Sequence, residues 1–259
     1  MNISVIHKLI LRSWLISLVF VSFSSYANHC TENKNDIDTI FFHIYNQQFN
    51  KAELELNQSK NKLKPLSYNL LTTDLIWWKT LSSNNEGDFE ILENDLTEKL
   101  SNVEKLSSQN NLDELLYLNY LLRLTAINNQ PFRMLNYFIR INKFIETFDN
   151  SDLSVEEQNI FDIFKAVFNV SKSKVLIIGA GFKNDNIKIL KGYQESSSLI
   201  NKTIACYFLG KIYFEIEKSP EYAVEYYSKL CHLYPNNMIF KNELLAVQLK
   251  IHQIKYFQP

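Results

Sequence analysis

The sequence predicts an all-α protein built from antiparallel pairs of helices. Apolar residues recur three or four positions apart in one segment after another, and short polar breaks separate these segments. Only five glycines and five prolines occur among 259 residues, which is few for a β protein that must turn at close intervals. Hydrophobic residues make up 46% of the chain, so a substantial core can form and disorder is not expected.

The first five helices are predicted from this apolar spacing, with bounds at 36–47, 50–63, 66–81, 88–106 and 112–127. Pro65 marks the break before the third helix, because a proline does not continue the helix that precedes it. The turn before the fourth helix is predicted from its composition, Asn84-Asn85-Glu86-Gly87. The fifth helix is dense in leucine and tyrosine and ends at the polar run 128–130.

The remaining six helices are predicted at 131–148, 155–170 or beyond, 185–197, 202–217, 221–234 and 238–256. Pro131 suits the first turn of its helix. Ser151 or Ser154 would cap the helix that starts at Val155, and Glu156 lies where the helix dipole favours an acid. Connections of about two to five residues make neighbouring helices antiparallel, so we expect about five pairs and a final capping helix in one domain.

The first 27 residues are predicted to be a cleavable signal peptide. Lys8 and Arg12 form a positive region, the uncharged run Ser13–Phe23 follows, and Ala27 ends a small-residue cleavage site. The run has 11 residues, short of the roughly 20 that span a bilayer, although a retained anchor is the alternative. The mature chain, residues 28–259, is therefore expected to be periplasmic or secreted, without an integral membrane span.

Charge and cysteine content narrow the class of partner. Cleavage would remove two of the 27 cationic side chains and none of the 28 acidic ones, and such a mildly acidic chain lacks the basic face that binds nucleic acid. Cys30, Cys206 and Cys231 remain, so at most one internal pair can form. Cys206 and Cys231 either form that disulfide or stay as small buried thiols.

The segment Thr203–Pro235 contains the clearest helix–turn–helix unit. Gly210 and Ala223 are small enough to let two antiparallel helices approach closely. Larger residues would fill the space around this contact: Leu209, Tyr213 and Tyr227. Pro235 would prevent the second helix from continuing.

The order of these residue types resembles that of the tetratricopeptide repeat. Two positions depart from the family pattern: Cys206 stands where a bulky residue is usual, and the turn near 217–220 is one residue longer. Segments 48–52, 87–89 and 129–135 resemble eroded copies of the same unit. The resemblance implies a right-handed superhelical solenoid in which the first helix of each pair lines a concave binding surface.

Five residues are candidates for the partner-binding groove: Tyr207, Lys211, Phe214, Trp77 and Trp78. Helical spacing and the repeat resemblance place the first three on the inner side of the clearest unit. The two tryptophans are adjacent and cannot share one side of a helix, so one is expected in the core. The other lies in a groove or between neighbouring repeats, and packing of both between repeats is the alternative.

A glycine-containing run at 174–181, KVLIIGAG, could begin a dinucleotide-binding site. The full fingerprint needs a third glycine, where Asn184 stands, and an acidic residue about 20 positions on at the end of a second strand. Glu195 comes too early and lies in a helical stretch. We therefore expect a helix end, with Gly179–Gly181 as its cap and turn. The histidines of the mature chain lack metal-ligand spacing.

These observations predict an exported, non-catalytic scaffold that binds a protein or peptide and needs no cofactor or metal. One alternative is a nucleotide-binding enzyme that uses the Gly179–Gly181 loop. The other is a structural subunit of an envelope assembly, and an apolar patch on the outer surface rather than in the groove would favour it.

Overall fold

The computed structural model describes residues 34–83, 85–106, 111–175 and 180–257. These residues form eleven α-helices and one π-helical turn, with no strand among them, so the all-α prediction is confirmed. The predicted signal peptide, Cys30 and residues 176–179 lie outside the described residues. In the part of the chain that is described, no helix is long and apolar enough to cross a membrane.

All eleven predicted helices are present. In chain order they are α1 (Lys34–Tyr45), α2 (Phe49–Ser59), α3 (Pro65–Ser83), α4 (Glu86–Leu106), α5 (Leu112–Ile127), α6 (Pro131–Thr147), α7 (Val155–Val175), α8 (Ala180–Gln194), α9 (Leu199–Lys211), α10 (Pro220–Leu233) and α11 (Met238–Phe257). The π-helical turn Ile212–Ile216 directly follows α9. The largest difference from prediction is at α8, which begins five residues early. Gly181 lies in its first turn, so the prediction that the preceding turn extends to Gly181 is wrong.

Local side-chain chemistry explains several helix starts. Ser154 and Glu157 form a reciprocal capping box before α7: the Ser154 amide donates to Glu157 Oε2 at 2.7 Å, and the Glu157 amide donates to Ser154 Oγ at 3.5 Å. Asn111 caps α5 by accepting a hydrogen bond from the Asp113 amide at 2.9 Å. Three helices begin at a proline, which fits the first helical position: α3, α6 and α10.

The turns α1–α2, α5–α6 and α9–α10 each contain one residue in the left-handed conformation: Gln47 at φ 57°, Asn129 at φ 57° and Lys218 at φ 55°. The amide of the next residue donates to a carbonyl five positions back in the first two turns, at 2.8 Å in each, and six positions back in the third, at 2.9 Å. This bond satisfies a carbonyl that the helix end leaves unpaired. The first two turns therefore have one geometry, and the third is one residue longer.

The described residues divide into two compact units. The first contains residues 34–40 and Phe49–Phe161, and the second contains Phe41–Gln48 and residues from Asp162 onward. In the first unit α5 is the central helix, since 13 of its 16 residues are buried. Helices α3 and α5 contact each other, and α4 and α6 are joined by the ion pairs Glu93–Arg133 and Glu104–Arg140.

In the second unit α9 is the central helix, with 11 of its 13 residues buried. It packs closely on α10: a Cβ atom at Gly210 would come within 2.9 Å of Cζ of Tyr227, and Ala223 is fully buried. The predicted close approach of these two helices is therefore present. Tyr213 stacks on Tyr226, with ring centroids 5.7 Å apart.

The second unit also contains the end of α1, a contact between residues about 190 positions apart. Asn237 Nδ2 donates to the carbonyl oxygen of Tyr45 at 2.6 Å, and Gln47 Oε1 accepts from the Met238 amide at 3.0 Å. The Tyr45 ring packs against Tyr234 and Phe240. An array in which each repeat contacts only its neighbours does not predict this contact.

Candidate interaction surface

The candidate groove residues on α9 are interior residues. Tyr207 is 4% exposed and Lys211 is 3% exposed, and Phe214, in the π-helical turn, is half-buried. The resemblance places these residues on an open inner face, whereas nearly every side of α9 is covered in this unit. Part of that cover is α11, since the Tyr207 and Phe240 rings lie 5.9 Å apart.

Lys211 holds α11 against α9 through a buried ion cluster. Its Nζ donates to Glu215 Oε1 at 3.0 Å within the same segment and to Glu243 Oε1 of α11 at 2.6 Å. Burial alone would lower the pKa of this lysine, but four neighbours raise it overall to well above its ordinary value: Tyr227, Glu215, Tyr207 and Glu243. The charged Lys211 side chain therefore links α9 to α11 of its own chain by ion pairs, and its amino group is buried.

The two tryptophans are both buried, Trp77 at 1% and Trp78 at 0% exposure. Arg123 of α5 lies over the Trp77 ring, with Cζ 3.6 Å from the ring centroid, and Tyr120 meets the same ring edge-on at 5.2 Å. The Tyr120 hydroxyl donates to Asp74 of α3 in a buried hydrogen bond. This cluster joins α3 to α5, so Trp77 is a packing residue between two helices, and Trp78 is buried in the same helix.

Asp113 is a buried acid at the start of α5. Asn69 Nδ2 of α3 donates to its Oδ2 at 3.2 Å, and its Oδ1 has no hydrogen-bond partner among the described residues. Burial raises the pKa of this carboxyl to about 6, against the smaller lowering effect of Asn69. An isolated acid of this kind is a local cost to stability. No group of three or more potential metal-binding residues occurs in the described chain.

The predicted glycine loop lies between two helices. Val175 is the last residue of α7 and Ala180 is the first residue of α8, while Gly179 and its three predecessors lie outside the described residues. The described chain on both sides is helical, so it contains no strand–helix–strand unit that could present a phosphate loop. No observation on the described residues favours a nucleotide-binding site at Gly179–Gly181, and this alternative remains untested.

Cys206 and Cys231 are free thiols in the described part of the chain. Cys206 is buried in α9, and burial raises the pKa of its thiol to about 11. The pKa of Cys231 is raised in the same direction, also by burial. Both therefore stay protonated near neutral pH, as expected for small packing residues. This arrangement agrees with the alternative in which Cys206 and Cys231 stay as thiols and form no disulfide.

Large apolar side chains are exposed on the second helices of the pairs. They are Leu54 on α2, Ile91 on α4, Phe132, Leu135 and Ile139 on α6, Ile189 on α8 and Tyr222 on α10. The final helix α11 adds Met238, Leu245, Leu249 and Ile254, and Val155 starts α7. Apart from Val155 and the residues of α11, these exposed side chains lie on helices that the repeat resemblance does not assign to a groove.

The densest group is a stripe on α6, formed by Phe132, Leu135 and Ile139. Phe132 is 88% exposed, and the other two are 55% and 58% exposed. Their spacing of three and four residues puts them on one side of the helix. The ion pairs of Arg133 and Arg140 with α4 lie beside the stripe. An apolar centre with a charged rim is the usual anatomy of a protein–protein contact.

The α6 stripe was not among the residues chosen from the sequence. Its signal is present there: α6 has a second apolar row, Met134, Tyr137, Ile141 and Phe144, which is buried. A helix with apolar residues on two sides needs cover for both, but the sequence does not say which side the protein itself covers. Only the packing of α6 on α5 distinguishes the buried row from the exposed stripe.

Comparison with known proteins assigns the chain to no family. No protein-family model, no curated protein and no solved structure was found to match it. The resemblance of 203–235 to the tetratricopeptide repeat therefore stands on the residues of that unit and on the geometry described above.

Proposed function

We propose that the mature chain is an exported, non-catalytic, tetratricopeptide-like scaffold that binds a protein partner through its second helices. The observation that carries this proposal is the exposed apolar stripe Phe132–Leu135–Ile139 on α6. Monomeric proteins rarely leave contiguous large apolar side chains in water, and such patches commonly mark interaction sites. Covering side chains of this size contributes about 1.5–3 kcal/mol each when burial is complete.

Two observations support the repeat architecture in this proposal. The turns after α1 and α5 have a left-handed residue at the same place and the same closing hydrogen bond, and the turn before α10 is a version one residue longer. The α9–α10 pair has the glycine and alanine contact that the repeat family uses to bring its helices together, with Tyr227 against Gly210. A solenoid of about five such pairs with α11 as its last helix fits these features.

The position of the apolar surface also favours a second candidate, a subunit of an envelope assembly. A peptide-binding repeat protein uses its first helices, and in this chain α5 and α9 are almost completely buried. Contact through the second helices suits a partner with its own folded surface more than it suits an extended peptide. We therefore place a folded protein partner ahead of a peptide.

Affinity capture with matched variants tests whether the α6 stripe binds a protein partner. Mature wild-type chain is immobilised, exposed to an extract of its native compartment, and compared with the double variant Phe132→Ser, Ile139→Ser. We expect a protein that the wild type retains and the double variant loses, because the stripe can no longer exclude water at the contact. The captured protein is then purified, and its binding to both chains is measured by calorimetry.

Two further variants make the result decisive. Val155→Ser removes an exposed apolar side chain from α7, which is not one of the second helices, and should leave binding unchanged. Phe214→Ala tests the predicted groove, since Phe214 is its one half-buried member. Loss of the partner with Phe214→Ala, but not with the α6 variant, would contradict binding through the second helices and restore the groove. Circular dichroism must show equal helix content in all chains.

Export is proposed from the first 27 residues and is tested separately. We expect the protein recovered from its native compartment to begin at Asn28, directly after the predicted cleavage site at Ala27. Amino-terminal sequencing of that material provides the measurement. An intact amino terminus in a membrane fraction would instead show that the segment is retained as an anchor.

A further inference from the structure

The last helix, α11, has two apolar faces, and its own unit covers one of them. Phe240 and Val247 are fully buried. On the opposite side Met238, Leu245 and Leu249 are 54%, 54% and 55% exposed. A helix on the surface of a domain normally has a polar outward face. α11 departs from that rule along much of its length.

The exposed side of α11 follows a heptad pattern. Its successive positions are Met238, Asn242, Leu245, Leu249 and His252, separated by four, three, four and three residues. This is the a/d spacing with which two helices pack knobs into holes. Asn242 and Leu249 fall at a positions, whereas Met238, Leu245 and His252 fall at d positions. The buried residues Phe240 and Val247 fall at f, directly opposite this seam.

We propose that the α11 seam pairs with the α11 seam of a second copy of this chain. A heptad seam is self-complementary, so one helix face can serve both partners about a two-fold axis. A single polar residue at an a position, here Asn242, is a known device for fixing the register of such a pair.

The residues beside the seam permit this self-association. Lys241, Gln248 and Lys255 occupy g positions, and Ile239, Ala246 and Gln253 occupy e positions. In a parallel pair each g position faces an e position of the partner, so the lysines of two copies do not face one another. In that pair Asn242 meets the same residue of the partner, which favours a second copy over a different helix.

The helix is also ready to pair without first being ordered. Its start is fixed by Asn237, whose Oδ1 accepts from the Phe240 amide at 3.0 Å, and its middle is held by Lys211 through Glu243. Association therefore avoids the ordering cost that a disordered segment would carry. A contact along one helix belongs to the smaller interfaces, below about 1,200 Å² in total, so we expect a dimer with micromolar dissociation.

The oligomeric state tests the proposal directly. Light scattering after size exclusion, and sedimentation equilibrium over a wide range of micromolar concentrations, should show a monomer–dimer equilibrium for the wild type. The double variant Leu245→Glu, Leu249→Glu should be monomeric throughout, with unchanged circular dichroism. The matched variant Leu54→Glu, on α2, should dimerise as the wild type does.

A gain-of-affinity variant keeps the test independent of any loss of folding. Asn242→Leu replaces the polar seam residue with an apolar one and should tighten the dimer roughly tenfold or more. A wild type that stays monomeric at the highest concentration would overturn the proposal, as would an Asn242→Leu chain with no tighter association. The Phe132→Ser, Ile139→Ser chain should still dimerise, so this result is distinguishable from failure of the α6 surface.

Discussion

At the scale of single residues, the chain uses small side chains and buried polar groups to set helix contacts. Gly210 is the clearest example, because its missing side chain leaves room for the ring of Tyr227. Asp113 shows the opposite situation, a charged group placed where burial disfavours its charge. Both residues are buried, so their substitution changes packing inside a unit.

In Gly210→Ala the added methyl group overpacks the contact with the buried Tyr227 ring, at a cost of about 1–3 kcal/mol. Alanine favours a helix over glycine by about 1 kcal/mol, so we expect a net loss of stability of up to about 2 kcal/mol. Urea unfolding followed by circular dichroism measures it. Gly192→Ala is the control, since nothing lies within 4 Å of its added Cβ. Equal stability of the two variants would contradict the packing role.

Asp113 should make the protein less stable as pH rises. Its pKa is raised from 3.8 to about 6, so the folded state holds the proton more tightly than the unfolded chain. Stability is then lost as pH increases between about 4 and 6, by roughly 3 kcal/mol in total. Asp113→Asn removes this slope, and the variant should gain stability relative to the wild type at pH 7.5 but not at pH 4.

Denaturant midpoints of both proteins across this pH range provide the measurement. Asp149→Asn is a control, because the contribution of Asp149 to stability should change with pH in the opposite direction to that of Asp113. Hydrogen bonds from Ser151 lower the pKa of Asp149, so its contribution is present at neutral pH and disappears on acidification. A difference between wild type and Asp113→Asn that does not vary with pH would show that Asp113 is not the titrating group.

At the scale of secondary-structure elements, three connections between helices contain a residue in the left-handed conformation. These connections place glutamine, asparagine and lysine at the left-handed position, which glycine usually fills. The left-handed conformation is therefore adopted without the residue that favours it. This explains why composition alone gave only weak signals for the turns after α1 and α5.

Lys218→Gly should stabilise the protein by about 0.5–1 kcal/mol. A non-glycine residue in the left-handed region costs roughly 1–2 kcal/mol, and the extra freedom of glycine in the unfolded chain offsets part of that gain. Thermal and urea unfolding measure the change. Asn129→Gly should gain less, because asparagine tolerates this conformation better than lysine. Destabilisation by Lys218→Gly would show that the lysine side chain has a role of its own.

At the scale of the whole chain, the second unit is assembled from segments that are distant in sequence. The end of α1 supplies Tyr45 and Gln47 to the start of α11. Asn237 has two functions there: its Oδ1 caps α11 and its Nδ2 holds the Tyr45 carbonyl. Repeat proteins gain stability mainly from neighbouring units, so this distant contact adds a constraint that a simple array lacks.

Asn237→Asp separates the two functions. Aspartate caps a helix as well as asparagine does, but it loses the donor to Tyr45 and brings a carboxylate against a carbonyl oxygen. We expect a loss of about 1–3 kcal/mol, measured by urea unfolding. Ser198→Asp, at the start of α9, changes a residue whose Oγ accepts from the Asn201 amide, and it should be nearly neutral. If the two substitutions have the same effect, the Tyr45 contact contributes nothing.

The fold was predictable from the sequence as far as its local determinants reach. The apolar spacing, Pro65, Pro131 and the Ser154 cap act within a few residues, so the eleven helices and most of their ends follow from the chain itself. The close approach at Gly210 was predictable for the same reason, since small residues at helical spacing allow few other contacts.

Tertiary packing decided which helix faces are open to solvent. Tyr207, Lys211 and Trp77 have the residue types and spacing of groove residues, but α11 and α5 cover them. Phe132 and Leu245 have the same apolar character as core residues, yet they remain exposed. A sequence gives each helix its apolar faces. Which of them the chain covers depends on contacts between residues far apart, such as Tyr45 with Asn237, which no local pattern specifies.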